Sequence, residues 1–218
     1  MNYGKHMTAS KTASRRASKD RYHHGDLKMA LLRAAEAELA ENGIESFSLR
    51  AVAKRAGVSH GAPAHHFKDA KGLLTALAAS GFRRLVEAQE FRQAEAGGDA
   101  HAQQIAAGLG YIDFALENPA LFRLMFTSEK PDRNVAELGE ASIAAYEKLM
   151  SGVRSVVGEN PPDDPGAMKL IMASWATAHG LADLIVSGRA ERPLNFSNLS
   201  KKERDALLSE MMGRQLLS

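Results

Sequence analysis

Apolar residues recur every three or four positions along nearly the whole chain. No stretch keeps up the alternation of apolar and polar residues that a half-buried strand shows. In the stretch LRAVAKRA, one helical face carries the i, i+3, i+4, i+7 set Leu49, Val52, Ala53 and Ala56. Helices with such apolar stripes bury them by packing on other helices. The sequence therefore predicts an all-α protein.

Clusters of Gly, Pro and Ser divide this helical pattern into segments. At 218 residues the chain is long enough for two domains. We expect a basic arm over residues 1–22, a first domain over 23–70 and a second domain over 71–218. In the second domain the pattern predicts helices over 100–117, 119–126, 134–157 and 200–217.

Two further segments of the second domain have distinct characters. Residues 158–166, GENPPDDPG, carry the Gly and Pro content of a loop. Residues 168–188 are apolar almost all round, so we expect a helix that is buried on most sides.

The charges of the chain are unevenly distributed. Residues 1–80 carry 13 Lys and Arg against 7 Asp and Glu, a balance of +6, and residues 81–218 carry 15 against 19, a balance of −4. A basic N-terminal end favours a polyanionic partner there.

The composition also bears on location. The chain has no cysteine, which excludes disulfides and suits a reducing cytoplasm. No apolar run approaches the ~20 residues needed to cross a bilayer. We expect a cytoplasmic protein without a membrane partner.

Residues 57–67, GVSHGAPAHHF, join two short predicted helices. The first of the two is capped by Ser48 and ended by Gly57, whose flexible backbone permits a tight turn. The second is expected to be capped by Ser59 and to end near His66, with Pro63 tolerated in its first turn. Small side chains would let such a helix enter the DNA major groove, so the segment is typical of a helix-turn-helix. A plain helical hairpin within an all-α domain is the alternative.

Residues 22–74 resemble the DNA-binding domain of the tetracycline-repressor (TetR/AcrR) family. The resemblance is carried by AAEAELAENGIESFSLRAVAKRAGVSHGAPAHHFKDAKGLL. It implies a three-helix DNA-binding domain followed by a helical ligand-binding and dimerisation domain. The chain departs from the family pattern at three positions: Ala64 stands for the usual Tyr, Pro63 for a larger apolar residue and Ala70 for the usual Lys.

Chemistry and this resemblance together nominate the DNA contacts. Basic residues on or beside the second helix, Arg55 among them, are expected on phosphates, since this helix crosses the DNA backbone. His60 and His65 are expected to project from the recognition helix toward base edges or phosphates, and the arm is expected to follow the backbone or enter the minor groove. A solvated Arg55 and a His66 packed beside Phe67 are alternatives. The predicted set is Arg15, Arg16, Ser48, Arg50, Lys54, Ser59, His60, Gly61, Ala62, His65, His66, Lys68 and Lys71.

Catalysis and metal binding find little support in the sequence. Histidines at 23, 24, 60, 65 and 66 could suggest a metal, but adjacent His pairs point to opposite sides of a helix, and no carboxylate follows His60 or His65 at helical spacing. No Gly-rich phosphate loop or Ser/His/Asp arrangement stands out. We therefore predict no enzyme activity, no metal and no cofactor.

The second domain is rich in aromatic residues and Met, which build apolar pockets between helices. The stretch WATAHG resembles the Trp-x-x-x-His-Gly signature of one C-terminal type within the TetR family. Plain core packing is the alternative, and His179 is either a polar anchor or a core histidine with a protein partner. The predicted effector-binding set is Phe114, Leu121, Phe122, Met125, Phe126, Tyr146, Met172, Trp175 and His179.

These observations predict a homodimeric DNA-binding regulator, most simply a repressor, that a small apolar effector releases from a palindromic operator in double-stranded DNA. Its two C-terminal helices are expected to form the dimer. The alternative is a helical small-molecule-binding or interaction protein that has lost operator binding, which the Ala64 and Ala70 departures would explain.

Overall fold

A computed structural model of the chain describes residues 26–158 and 165–216. The described residues form helices and contain no strand, which confirms the all-α prediction. The basic arm, with Arg15 and Arg16, lies outside the described residues. The helices are α1 (26–42), α2 (Leu49–Ala56), α3 (Ala62–Phe67), α4 (Ala70–Ala96), α5 (Ala100–Glu117), α6 (Pro119–Phe126), α7 (Ala136–Val157), α8 (Pro165–Val186), α9 (Glu191–Leu194), a 3-10 turn (Phe196–Asn198) and α10 (Lys201–Leu216).

The chain divides into two compact units, one ending at Leu73 and the other beginning at Leu74, so the division falls inside α4. In the first unit, α1, α2, α3 and the first turn of α4 all contribute buried apolar side chains. Its buried side chains include Leu31, Leu39, Val52, Phe67 and Leu73.

Local signals shape α2 as predicted. The Ser48 Oγ accepts a hydrogen bond from the Ala51 backbone N–H at 3.3 Å. Gly57 ends the helix with a φ of 68°, in the left-handed region that glycine tolerates. Its N–H donates to Lys54 O at 3.2 Å, while the Val58 N–H donates to Ala53 O at 3.0 Å. These two bonds form a Schellman motif, which satisfies carbonyls at the end of the helix.

The start of α3 differs from the prediction. The helix begins at Ala62 with no side-chain cap, and Ser59 contributes only its carbonyl, which accepts from the Ala62 N–H at 3.0 Å. A helix starting at His60 would need a hydrogen bond from the Pro63 nitrogen to Ser59 O, and proline has no N–H to donate. His60 and Gly61 therefore precede the recognition helix rather than project from it.

In the second unit, α5 is the central helix, and α6, α7, α8 and α10 pack against it. Its approach to α4 is close at Gly110, where a Cβ atom would lie 2.6 Å from the Gln89 Cα. Arg92 of α4 strengthens this contact, because its Nε donates to Asp113 of α5 at 2.5 Å. Its Nη1 and Nη2 also bind Asp205 of α10 at 2.9 and 3.1 Å.

Several predicted boundaries in this unit shift. The bounds of α5 and α6 match the prediction, whereas α7 begins at Ala136 instead of 134. Pro165 and Gly166 belong to α8 rather than to a loop, since proline fits the first turn of a helix. The helical turns over 191–198 were not predicted.

The expectation that α8 is buried on most sides is wrong for the single chain. Ile171 and Ala178 are buried, but Met172 is 48% and Leu184 43% exposed. The reason is that α5, α7 and α10 cover one side of α8 and leave apolar residues on the other side uncovered. No helix among the described residues is long and apolar enough to cross a membrane.

The close approach at Gly110 predicts a mutational contrast. Gly110→Ala should lower the free energy of unfolding by about 1–3 kcal/mol, because the added methyl group collides with the backbone of α4. Gly139→Ala, in α7, is the matched control, because its Cβ would meet nothing within 4 Å. It should raise stability by about 0.5–1 kcal/mol. Equal effects of both variants in urea denaturation would contradict the packing described here.

Candidate nucleic-acid interface and cavity

The six-residue helix α3 has one buried and one exposed side. Pro63 and Phe67, four residues apart, are buried, whereas Ala64 and His65 are exposed. Ala62 and His66 are half-buried. The exposed side thus combines a small side chain with a hydrogen-bonding imidazole, which can lie close to base edges in a groove.

The flanks of α3 hold other predicted DNA contacts. Ser59, His60 and Gly61 are exposed in the turn before the helix. His66 lies beside Phe67, with ring centres 6.2 Å apart, as one of the two sequence interpretations expected.

On α2, Arg50 and Lys54 are exposed, but Arg55 is engaged elsewhere. The Arg55 Nη2 lies 3.2 Å from a Glu38 carboxylate oxygen, and its Nη1 donates to Glu41 at 2.9 Å. The hydrogen bond from Arg55 lowers the pKa of the Glu41 carboxyl below its usual value. Arg55 therefore connects α2 to α1 through ion pairs while it remains exposed, and its phosphate contact stays a prediction.

The junction between α3 and α4 positions two predicted cations. Lys68 has a φ of 69° and a ψ of −58°, and the Asp69 N–H donates to Phe67 O at 2.8 Å across it. This is a tight γ-turn, which is strained for a residue with a side chain. The Asp69 carboxylate then caps α4, accepting from the Gly72 N–H at 2.8 Å. Lys68 and Lys71 are exposed on the two sides of this corner.

A cavity of about 260 Å³ lies within the second unit, between α4, α5, α7, α8 and α10. Three predicted effector residues line it: Phe126, Tyr146 and Trp175. Sequence reasoning missed other lining residues, among them Phe82, Gln89, Gln104, Tyr111 and Arg133. The sequence did contain a signal for Gln89 and Gln104, which are both buried. Burying a glutamine on an otherwise apolar helical face costs free energy, so such a residue is expected to have a polar partner or a function.

The other predicted effector residues lie away from the cavity wall. Phe114, Leu121, Phe122 and Met125 are buried core residues that do not line the cavity, and Met172 is exposed outside it. The Phe122 ring nevertheless packs 5.0 Å from that of Phe126, so it supports the wall from behind.

His179 also lies behind the wall, where it is paired with Tyr111. The Tyr111 hydroxyl and the His179 Nδ1 are 2.8 Å apart. Burial raises the pKa of Tyr111, and a hydrogen bond from the Trp175 indole opposes this rise. Which of the two groups donates in the hydrogen bond between Tyr111 and His179 depends on the imidazole tautomer. His179 is half-buried and has a protein partner in Tyr111, as the core-histidine interpretation expected.

The geometry defines a class of protein: an N-terminal helix-turn-helix unit followed by a helical unit with an internal, largely apolar cavity. Residues 31–77 match the profile of the bacterial regulatory proteins of the tetR family. Residues 104–211 match the profile of the tetracyclin repressor-like C-terminal domain. The chain belongs to the TetR family of transcriptional regulators, which is not a class of enzymes.

Individual relatives agree with this assignment. The HTH-type transcriptional regulator BetI of Stenotrophomonas maltophilia (strain R551-3) is 32% identical over 123 residues, which make up 56% of this chain and 63% of that protein. The match thus spans a little under two thirds of that relative's length.

Solved structures share the fold along most of the chain. A protein with unknown function from Rhodococcus sp. RHA1 is 34% identical, with a TM-score of 0.71 over 90% of this chain and 98% of its own. A transcriptional regulator from Rhodococcus sp. Rha1 is 25% identical, with a TM-score of 0.60 over 87% and 96%. A TetR family regulator from Marinobacter aquaeolei VT8, 19% identical with a TM-score of 0.65 over 89% and 97%, shares the fold alone.

The environment of His179 predicts a pH dependence of stability. Burial lowers its pKa, and the nearby Asp183 only partly offsets this. An unfolded His has a pKa of about 6.5, so below that pH the unfolded chain takes up a proton that the folded chain resists. Stability should therefore fall as pH drops from about 7.5 to about 5.5.

His179→Gln should lose less stability than the wild type between those two pH values, because glutamine does not titrate. Thermal unfolding midpoints at both values measure this difference. His60→Gln, which alters an exposed residue, is the control and should lose as much stability as the wild type. An equal loss in the wild type and in His179→Gln would contradict the lowered pKa of His179.

Proposed function

We propose that this protein is a ligand-responsive repressor, which binds a palindromic operator in double-stranded DNA as a homodimer and releases it when a small apolar molecule fills the cavity. The exposed side of α3, with its small residues and His65, is the observation that carries this proposal. In this proposal residues 23–70 bind DNA, and residues 71–218 bind the effector and dimerise in the cytoplasm.

The DNA contacts divide into positioning and reading. Arg50 and Lys54 on α2 and Lys68 and Lys71 at the α3–α4 corner are exposed cations suited to phosphates. His65 can reach a base edge, because the neighbouring Ala64 adds little bulk to the same side. The basic arm 1–22 would add salt-dependent affinity without much sequence reading.

The effector would act through the second unit. At about 260 Å³, the cavity lies just below the usual range for ligand pockets, and it is walled mainly by apolar and aromatic groups, including Phe126, Tyr146 and Trp175. For release, the effector must bind more tightly to a dimer whose recognition helices no longer match successive major grooves. Without such differential affinity, filling the cavity would leave DNA binding unchanged.

The dimer would form through α8 and α10. Leu184 is exposed, and Leu170, Leu181, Ile185, Leu207 and Met211 are only half-buried within the chain. Ile171, Ala178 and Leu208 of the same two helices are buried inside the chain instead, and the Leu216 side chain lies outside the described residues. The remaining apolar residues suit an isologous four-helix contact between two copies.

A titration of the protein against DNA from upstream of its own gene tests the proposal. We expect specific binding that exceeds binding to scrambled DNA of the same length. Binding to neither DNA would favour the alternative, a helical binding protein that has lost operator recognition.

Substitutions separate the two kinds of DNA contact. Arg15→Ala with Arg16→Ala should weaken operator and scrambled DNA alike and flatten the salt dependence, by a slope of roughly one per lost contact. His65→Ala should cost operator binding about 1–3 kcal/mol and scrambled DNA much less. Affinities at two salt concentrations on both DNAs measure these effects. If His65→Ala weakens both DNAs equally, His65 is another phosphate contact.

Sedimentation tests the dimer. The wild type should be dimeric at micromolar concentration, and Leu184→Glu should be monomeric because it places a charge in the proposed contact. Ile143→Glu is the matched control, because Ile143 is 57% exposed on α7, outside the two C-terminal helices. A monomeric wild type, or a monomeric Ile143→Glu, would rule out the contact proposed here.

A further inference from the structure

The cavity wall has an unexpected charge balance. Residues 81–218 carry 19 acidic against 15 basic residues. The described residues that line the cavity nevertheless include two cations, Arg133 and Lys148, and no Asp or Glu. A cationic ligand would meet like charge there and no compensating carboxylate.

Of the two cations, Arg133 is the one available for a ligand. Its Nη2 donates to Met125 O at 2.9 Å and to Ser128 O at 3.5 Å, which fastens the guanidinium beside the end of α6. Arg133 is exposed, and its hydrogen bonds within the described chain go to these backbone carbonyls rather than to a carboxylate. Lys148, in contrast, already lies 3.4 Å from the Glu90 carboxylate, so its charge is partly neutralised.

The wall next to Arg133 is aromatic. Phe126, the last residue of α6, packs edge-on against Phe82 with ring centres 5.3 Å apart and lies 6.1 Å from the Tyr111 ring. All three residues line the cavity. An apolar body can therefore be buried against these rings while a polar end reaches the guanidinium.

We infer that the effector is a small monocarboxylic acid with an aromatic or apolar body, bound as the carboxylate anion to Arg133. This inference rests on the proposed effector function and specifies its chemistry. A planar guanidinium offers two parallel N–H donors to a carboxylate, which gives a strong and oriented contact. A phosphate dianion is a poorer match, because a largely apolar cavity with one unpaired cation does not compensate for its desolvation.

Calorimetry with three probes of one shape tests the inference without DNA. The probes are 3-phenylpropanoate, 3-phenylpropan-1-ol and 3-phenylpropylammonium, which differ in the charge of one end. The wild type should bind the carboxylate roughly tenfold or more tighter than the alcohol, and the ammonium least, because a hydrogen bond to a charged group is stronger than a neutral one. The emission of Trp175, the only tryptophan, gives a second readout at the cavity wall.

Two variants locate the charge that matters. Arg133→Gln should remove the preference for the carboxylate and leave the affinity for the alcohol within about twofold. Arg123→Gln is the matched control: Arg123 also donates to a backbone carbonyl, that of Val186 at 3.1 Å, but does not line the cavity. Arg123→Gln should keep the wild-type preference.

The outcomes distinguish this inference from the function on which it rests. If the wild type binds the alcohol or the ammonium as tightly as the carboxylate, the inference fails and the effector cavity stands. Equal losses in Arg133→Gln and Arg123→Gln would show a general charge effect and also overturn it. If no probe binds and Trp175 emission does not respond, the cavity is not the effector site, and the inference fails with it.

Discussion

The close contact between α4 and α5 at Gly110 is the constraint on which the second unit depends. Without a side chain at Gly110, α5 lies directly against the backbone of Ala88 and Gln89. The residues beside this contact, Gln89 and Tyr111, both line the cavity, so the helix spacing also sets part of the cavity wall. Arg92 reinforces the arrangement, since its ion pairs with Asp113 and Asp205 connect three helices. Hydrogen bonds with these partners raise the pKa of Arg92 further, so the guanidinium stays charged.

At the cavity wall and behind it, polar and apolar side chains contribute in different ways. The Tyr111 hydroxyl and the half-buried His179 imidazole share a hydrogen bond, and burial lowers the pKa of His179. The rings of Phe82, Phe126 and Tyr111 provide apolar surface without hydrogen-bonding demands. Among the described residues that line the cavity, Arg133 and Lys148 are the charged ones, and this excess of positive charge favours an anionic ligand.

In the first unit, too, hydrogen bonds, ion pairs and a close backbone approach hold the helices in place. Ser48 and Gly57 begin and end α2 through local hydrogen bonds, and the ion pairs of Arg55 with Glu38 and Glu41 join it to α1. The strained γ-turn at Lys68 brings α4 so close to α3 that any side chain at Gly72 would collide with Phe67 O. Such strain persists only where the surrounding packing imposes it, and it orients the corner that carries Lys68 and Lys71.

The sequence by itself determined what depends on neighbours within one or two helical turns. Helical periodicity, the cap at Ser48, the stop at Gly57 and the bounds of α5 and α6 are local, and so is the helix-turn-helix with its TetR likeness. Of the predicted effector residues, Phe126, Tyr146 and Trp175 line the cavity, since aromatic side chains on apolar helices face either a core or a cavity. The sequence could not separate these three from Phe114 or Leu121, which share the same pattern but pack into the core.

Only the tertiary structure decided which face meets which partner. Arg55 looks like any basic residue of a DNA-binding helix, and its partners stand 17 and 14 residues away on α1. In the sequence, Arg133 resembles any other loop residue. The packing around α6 and α7 places it at the cavity wall. The start of α3 depends on Pro63, which has no N–H to donate to Ser59 O. Serine is a favoured capping residue, but the Ser59 side chain does not cap this helix. Such contacts join distant parts of the chain, and helical periodicity carries no information about them because it repeats every turn whatever lies opposite.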